Sequence, residues 1–543
     1  MNSEESSLEG RFEGGLPGLL ALAIFLVLPF LVYAVGLGSP FVRDDLSIIV
    51  RNPAVIDLHR AGEIVTRGYW PGDSGKQDLL YRPLATATYA LQYALHGPRP
   101  LHFRLVNVLL HGIVCWLLFL FLRDLAGSPV ALLAALLFCV HGVCVESVQY
   151  VIGRADLLAG LFVLLALLLY RRALLARGKG PWLVLVFVAS LLSLLSKESA
   201  VCLLPLVALL HLHLRKKGGA PRAASPLCLL APALGLAVAL SLRAVVLGDL
   251  ARAPADISLL DNPLAGLSFL ARWRGSLVLL GQAARLLLVP FPQSTDYSLA
   301  ALPVTEGLSF SLVAGGVVLV LLVVALRRGG DPALALGAVG FLCTFALPSQ
   351  VLFPLGTVFG LRLLYLPAMA ACLVLARLAL LAGRRFPASR RGLAFAVCLC
   401  ALQLPFAVSA VAMYRDEETL VRRSLRAAPE SARLQYLYGG MLASKGKEAE
   451  ARVHLEKALS LFPGIDAARA MLGMVRVRAG EVEEGAEEVL RAFRGSPALV
   501  LPSLPHLARE LQKAGLAGKA REVLELHRQE LAHQHLSSSE DRP

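Results

Sequence analysis

Two adjacent carboxylates, Asp44 and Asp45, follow directly on a long apolar run, Leu16 to Gly38, and open a polar loop. A carboxylate within about 2.6–3.2 Å of a hydroxyl takes its proton as an electrophilic carbon is attacked. Two carboxylates held side by side repel, so that one has a raised pKa or a divalent cation sits between them. Either Asp44 or Asp45 fits the part of base; the bland alternative is a solvated or capping pair. Further ionisable and polar groups recur in short strings between apolar runs: Tyr81-Arg82, His141 with Glu146, Arg154 with Asp156, Lys197-Glu198, Arg243, and Arg362 with Tyr365. Simple pairings are Lys197 with Glu198 and Arg82 with Asp45. His141 and Glu146 stand five apart with no third ligand nearby, which is not a zinc pattern, and no residue is assigned to a metal.

The elements that must position these groups are apolar helices. At 543 residues, 56% hydrophobic and 17% charged, with many runs near the ~20 residues needed to cross a ~30 Å hydrocarbon core, the pattern is that of a polytopic helical membrane protein. Eleven spans are expected, near 16–38, 105–122, 129–145, 155–171, 182–196, 199–214, 226–247, 308–326, 332–349, 363–382 and 392–412. Leu277 to Val289, interrupted by Gln282 and Arg285, reads as an interfacial or re-entrant helix. The formal charge of +14 does not point to nucleic acid, because Lys and Arg cluster between spans as orientation by the positive-inside rule places them. Arg171/Arg172/Arg177/Lys179, Arg215/Lys216/Lys217/Arg222, Arg327/Arg328 and Arg384/Arg385/Arg390/Arg391 all fall on one side, the cytoplasmic one. The polar strings, together with Asp261-Asn262-Pro263 and Asp296-Tyr297, then converge on the other face, where membrane-edge ionisable groups are costly enough to suggest function. The nine cysteines, with no CxxC pair, read as packing residues.

After Tyr414 the chain turns polar. Pro429, Pro463 and Pro497 are 34 apart, as are Gly446 and Gly480, and Gly439 and Gly473. That period predicts tetratricopeptide repeats, an α-solenoid of stacked helix pairs with a concave surface for proteins or peptides. The expected division is a cytoplasmic tail over 1–15, a membrane domain over 16–414, repeats over 415–535 and a disordered end over 536–543. By parity the repeats share a side with the acidic pair.

Strings through most of the first 430 residues resemble the transmembrane and tetratricopeptide-repeat O-mannosyltransferases and their bacterial relatives. They are Phe41-Val42-Arg43-Asp44-Asp45, Tyr81-Arg82-Pro83-Leu84, Leu105 to His111, Gly153 to Ala159, Lys197-Glu198, Asp261-Asn262-Pro263, Asp296-Tyr297-Ser298 and Arg362 to Pro367. The resemblance implies an all-α, C-type glycosyltransferase-like membrane domain. It implies transfer of a hexose, with mannose the expected one, from a polyprenyl-phosphate donor to a hydroxyl of a protein on the non-cytoplasmic side, with Asp44 as base and Asp45 orienting it. Arg154, Lys197, Arg243 and Arg362 would then face the leaving phosphate, whose developing charge calls for such donors. His141 with Glu146 would hold the sugar. The family's second histidine and a later Glu and Asn are replaced here by Cys144, Leu361 and Gln350. The alternative from another class is a non-catalytic membrane scaffold presenting the repeats. Richness in Ala, Leu and Arg suggests a high-GC bacterial source and a plasma-membrane location, an endoplasmic-reticulum home being the alternative.

Overall fold

The computed structural model describes residues 18–71, 80–216, 225–248, 257–299, 301–302, 304, 307–327, 330–383 and 389–540. The expected tail over 1–15 and the basic residues Lys217, Arg222, Arg328, Arg384 and Arg385 lie outside them. The regular structure among the described residues is helical. The main helices are α1 (Gly18–Tyr33), α2 (Pro83–His96), α3 (Pro100–Ala126), α4 (Ser128–Cys139), α5 (Arg154–Leu175), α6 (Gly180–Ser196), α7 (Leu203–Lys216), α8 (Leu230–Leu247), α9 (Phe269–Leu288), α10 (Phe310–Arg327), α11 (Pro332–Phe345), α12 (Tyr365–Gly383) and α13 (Ser389–Val411). They are followed by α14 (Glu417–Ala427), α15 (Ala432–Ser444), α16 (Glu448–Leu461), α17 (Asp466–Arg478), α18 (Val482–Gly495), α19 (Leu504–Lys513) and α20 (Ala517–Glu540).

The chain divides into two compact units, one of residues 1–293 and 303–417, the other of 294–302 and 418–543. In the first, eight helices among the described residues are long and apolar enough to cross a bilayer. A ninth crossing is formed if α4 and Gly142–Gln149, bent by 50° at the break, act as one span. Two shorter apolar helices, α6 and α11, complete a one-to-one match with the eleven expected runs. The expected surface helix is longer than its apolar stretch: α9 runs for 20 residues, begins eight residues before Leu277 and is capped by the Ser268 side chain. Arg272, Arg274 and Arg285 hid its length from a hydropathy reading. It packs on α10 through Gly281 and Gly315, where an added Cβ at either would collide with the facing backbone carbonyl; only glycine permits so close a crossing.

The second unit repeats one local design. The first helix of each pair ends, a left-handed glycine turns the chain, and the second helix begins two residues later. Gly446 (φ 73°), Gly480 (φ 93°) and Gly515 (φ 81°) occupy that position after α15, α17 and α19. Apolar side chains of α17 to α20, among them Val489, Leu504, Leu507 and Val523, form a continuous core, as expected of repeats that bury their faces against neighbours. The segment 294–302 belongs to this unit. Asp296 accepts hydrogen bonds from Ser298 and Ser431 and pairs with Arg433 at 3.5 Å, all within this unit. Helix α20 extends to Glu540, where residues 536–540 had been expected to lack structure; its helical hydrogen bonding continues through the serine run.

Candidate active site

The acidic pair sits on a backbone under strain. Arg43, immediately before it, has φ 50°, a left-handed conformation that costs a side-chain-bearing residue about 1–3 kcal/mol and that clusters at functional sites. This turn splits the two carboxylates by environment. Asp45 is fully buried: its Oδ1 accepts the Ile152 N–H at 3.0 Å and its Oδ2 the Val42 N–H at 3.4 Å. Burial pushes its pKa up to about 7, against the opposing pull of Arg104 and the amide donors. Asp44 is half-buried, and its own N–H donates to the Tyr150 hydroxyl at 2.8 Å. A cation shared by the two does not fit this arrangement, because Asp45 is inaccessible and both its oxygens are engaged by amides.

The break that receives Asp45, from the last helical residues Ser147–Gln149 to Gly153, is buried throughout, and buried carbonyls must find donors. Helix α3 supplies them. Asn107 Nδ2 lies 3.2 Å from both Val148 O and Val151 O, and Arg104 Nε donates to Gln149 O at 3.0 Å. Arg104 also donates to the carbonyls of Ser39 and Pro40, so one guanidinium joins the two loops that meet at the acidic pair. Neither Arg104 nor Tyr150 stands out in the sequence. A lone Arg one turn inside an apolar run, three residues before Asn107, is the signal that was there to read.

Several sequence-based assignments change. Arg154 is buried, and its donors reach Asn107 Oδ1 at 2.9 Å, Gln92 Oε1 at 2.7 Å and Phe103 O at 3.0 Å, with the Tyr89 and Phe103 rings over its guanidinium. It braces helices and is not available to a phosphate. His141 is also buried; its Nδ1 accepts the Val143 N–H at 3.2 Å and its Nε2 donates to Leu287 O at 2.9 Å, which caps the helical turn after the bend. Tyr365 is buried with its hydroxyl 2.9 Å from His111 Nδ1, and Tyr81 donates to Val65 O at 3.0 Å. All of these groups hold the fold. Lys197 does not pair with Glu198 but with Asp156, in the first turn of α5. Arg82 does not pair with Asp45; it clasps Glu198 with two bonds, at 2.9 and 3.3 Å, and stacks over Tyr69.

The remaining charges form one network. Glu198 also meets Arg243 at 3.5 Å, and Glu146 accepts the Arg362 N–H at 3.2 Å. Arg362 is in electrostatic reach of Glu146, Asp44, Tyr150 and Arg82, and Lys197 of Asp156, Arg82 and Arg362. The sequence therefore named most of the members, while their pairing came from the fold. Among the described residues its half-buried members are four guanidinium groups, Arg43, Arg82, Arg243 and Arg362, against two carboxylates, Asp44 and Glu198. Arg43 Nη1 is buried without a hydrogen-bond acceptor among the described residues. Among the described residues the half-buried part of the network thus holds more guanidinium groups than carboxylates, an arrangement that suits an anionic substrate.

Comparison with known proteins agrees with the motifs. A family model described as dolichyl-phosphate-mannose-protein mannosyltransferase matches residues 82–243, a stretch that opens on Arg82 and closes on Arg243. The chain is 37% identical over 211 residues to the protein O-mannosyl-transferase Tmtc1 of Drosophila melanogaster, a match covering 38% of this chain and 24% of that protein. It is 26% identical over 463 residues to the protein O-mannosyl-transferase F38B6.6 of Caenorhabditis elegans, covering 84% of this chain and 64% of that one. This chain is similar in sequence to proteins named protein O-mannosyl-transferases. Human TMTC1 is a further relative, 27% identical over 83% of this chain and 56% of its own. The matches span between about a quarter and two thirds of these relatives' length. Among solved structures the chain is similar to ArnT from Cupriavidus metallidurans bound to undecaprenyl phosphate, with 15% identity, a TM-score of 0.37 and coverage of 78% of this chain and 80% of that one.

Proposed function

We propose that this protein is a multi-pass membrane glycosyltransferase that moves a hexose, mannose by its kinship with the protein O-mannosyl-transferases, from a polyprenyl-phosphate donor to a hydroxyl of a protein on the non-cytoplasmic face. The observation that carries the reading is the half-buried Asp44, in electrostatic reach of Tyr150 and Arg362, in a network whose other half-buried cations include Arg82 and Arg243, both held by Glu198. In the proposed reaction the acceptor oxygen attacks the anomeric carbon as the bond from that carbon to the phosphate oxygen breaks. Asp44 takes the acceptor's proton, and the guanidinium groups take up the charge that develops on the departing lipid phosphate. Asp45 keeps the strained turn in place and does not touch substrate. Glu198 and Glu146 hold Arg82 and Arg362 in position. The repeat unit supplies the surface for the protein acceptor.

The test is Asp44→Asn in the full chain, purified in detergent and supplied with polyprenyl-phosphate mannose and an unfolded acceptor protein. Turnover is expected to fall about 10²–10⁴-fold, the usual contribution of a positioned base, with the elution profile unchanged. Turnover at the unsubstituted rate removes Asp44 from the mechanism. Absence of transfer by the unsubstituted chain with this donor class favours the scaffold reading.

A further inference from the structure

Helix α3 carries His111 and Cys115 four residues apart on one face, and α4 ends at Cys139. These three side chains meet. One ring nitrogen of His111 and the two sulfurs lie within 4.8 Å of one another, with Cys115 Sγ 3.8 Å from His111 Nε2. All three residues are fully buried, and none belongs to the charged network around Asp44.

We propose that His111, Cys115 and Cys139 form a zinc site that ties α3 to the C-terminal end of α4. Zinc binds sulfur at about 2.3 Å and imidazole nitrogen at about 2.0–2.1 Å, which at tetrahedral angles separates neighbouring donors by about 3.5–4 Å. The Cys115 sulfur–nitrogen separation of 3.8 Å already falls in that range. Zinc is favoured over a monovalent soft cation by charge: two thiolates and one neutral imidazole cancel a divalent ion, and a neutral complex is what a low-dielectric interior tolerates. Binding releases the two thiol protons. The Cys139 carbonyl oxygen, 3.2 Å from His111 Nε2, would supply a fourth donor.

The other side of the imidazole is prepared as well. His111 Nδ1 is 2.9 Å from the Tyr365 hydroxyl. Without metal, Nε2 carries the ring proton and donates it to the Cys139 carbonyl, while Nδ1 accepts from Tyr365. With metal on Nε2 the ring proton resides on Nδ1, which then donates to the Tyr365 oxygen, an outer partner of the kind that fixes a ligating histidine.

The experiment is metal analysis of the full-length protein after stripping on a chelating resin and reloading with zinc chloride. About one zinc per chain is expected, falling to background in Cys115→Ser/Cys139→Ser and in His111→Gln, and unchanged in Cys372→Ser. Reloading with cobalt(II) instead is expected to give a thiolate-to-cobalt charge-transfer absorption. That spectrum of the unsubstituted protein decides the matter should the variants fail to survive solubilisation. Zinc well below one per chain, zinc retained in the cysteine variants, or a cobalt complex without thiolate absorption overturns the proposal.

Discussion

Two neighbouring aspartates with opposite surroundings should respond differently to pH and to mutation. Asp45 has a folded-state pKa of about 7 against an ordinary value of 3.8, so between those values the native protein holds a proton that the unfolded chain has lost. Its contribution to stability is therefore complete below about pH 4 and declines as pH rises towards 7. Thermal unfolding of Asp45→Asn, followed by intrinsic fluorescence, is expected to lose that part of the pH dependence. Arg154 makes the complementary case. As a phosphate ligand its replacement would raise the donor KM. As a brace bonded to Asn107, Gln92 and Phe103 it should cost stability, because Lys cannot reproduce the planar fork of donors. We expect Arg154→Lys to lose about 2 kcal/mol of stability, read as a lower unfolding midpoint, with the donor KM of the surviving protein unchanged. At this scale the sequence singles out polar groups that the fold brings together, but not which partner each of them bonds. Tyr81, His141, Arg154 and Tyr365 look like site residues because they are polar groups in apolar surroundings, and a polar group needed to satisfy buried backbone or to brace a helix leaves the same signature.

The elements around the site are breaks between helices. Each of the loops at Ser39–Asp45 and Ser147–Gly153 lies next to a span, and irregular backbone there survives only where its carbonyls are met. Arg104 and Asn107 of α3 meet them. Gly153 closes the second loop; a Cβ at that position would overlap the Ser147 carbonyl. Gly153→Ala is thus expected to displace Ile152 and Tyr150, both of which bond the acidic pair, and to lower turnover at least tenfold while Gly178→Ala, which meets nothing within 4 Å, leaves it unchanged. A transfer assay on the two variants side by side measures the contrast. Helix positions were legible because apolar length is local information. The length of α9 was not, since its arginines broke the apolar run while capping and packing on α10 kept the helix going.

For the whole molecule the open quantity is how many times the chain crosses the bilayer. Helix α9 has 20 residues, about 30 Å at 1.5 Å per residue, long enough to span; the three arginines it carries argue for the surface instead. The two arrangements place Arg327 on opposite sides. With α9 at the surface, reporter tags inserted at the Asp44 loop and beside Arg362 should both report the non-cytoplasmic side, and tags beside Arg177 and Arg327 the cytoplasm. A tag at Arg327 on the outside would make α9 a crossing. What the sequence determined by itself was the material of the molecule: apolar runs that must be helices in a bilayer, a 34-residue period that must be stacked helix pairs, and the short polar strings that interrupt the spans. What only the tertiary structure decided was the pairing among those strings. Lys197 passes over its neighbour Glu198 for Asp156, Arg82 takes Glu198, and Asp45 turns inward while Asp44 stays half-buried. Charge pairing depends on distances across helices, and those distances are set when the helices pack, long after local composition has done its part.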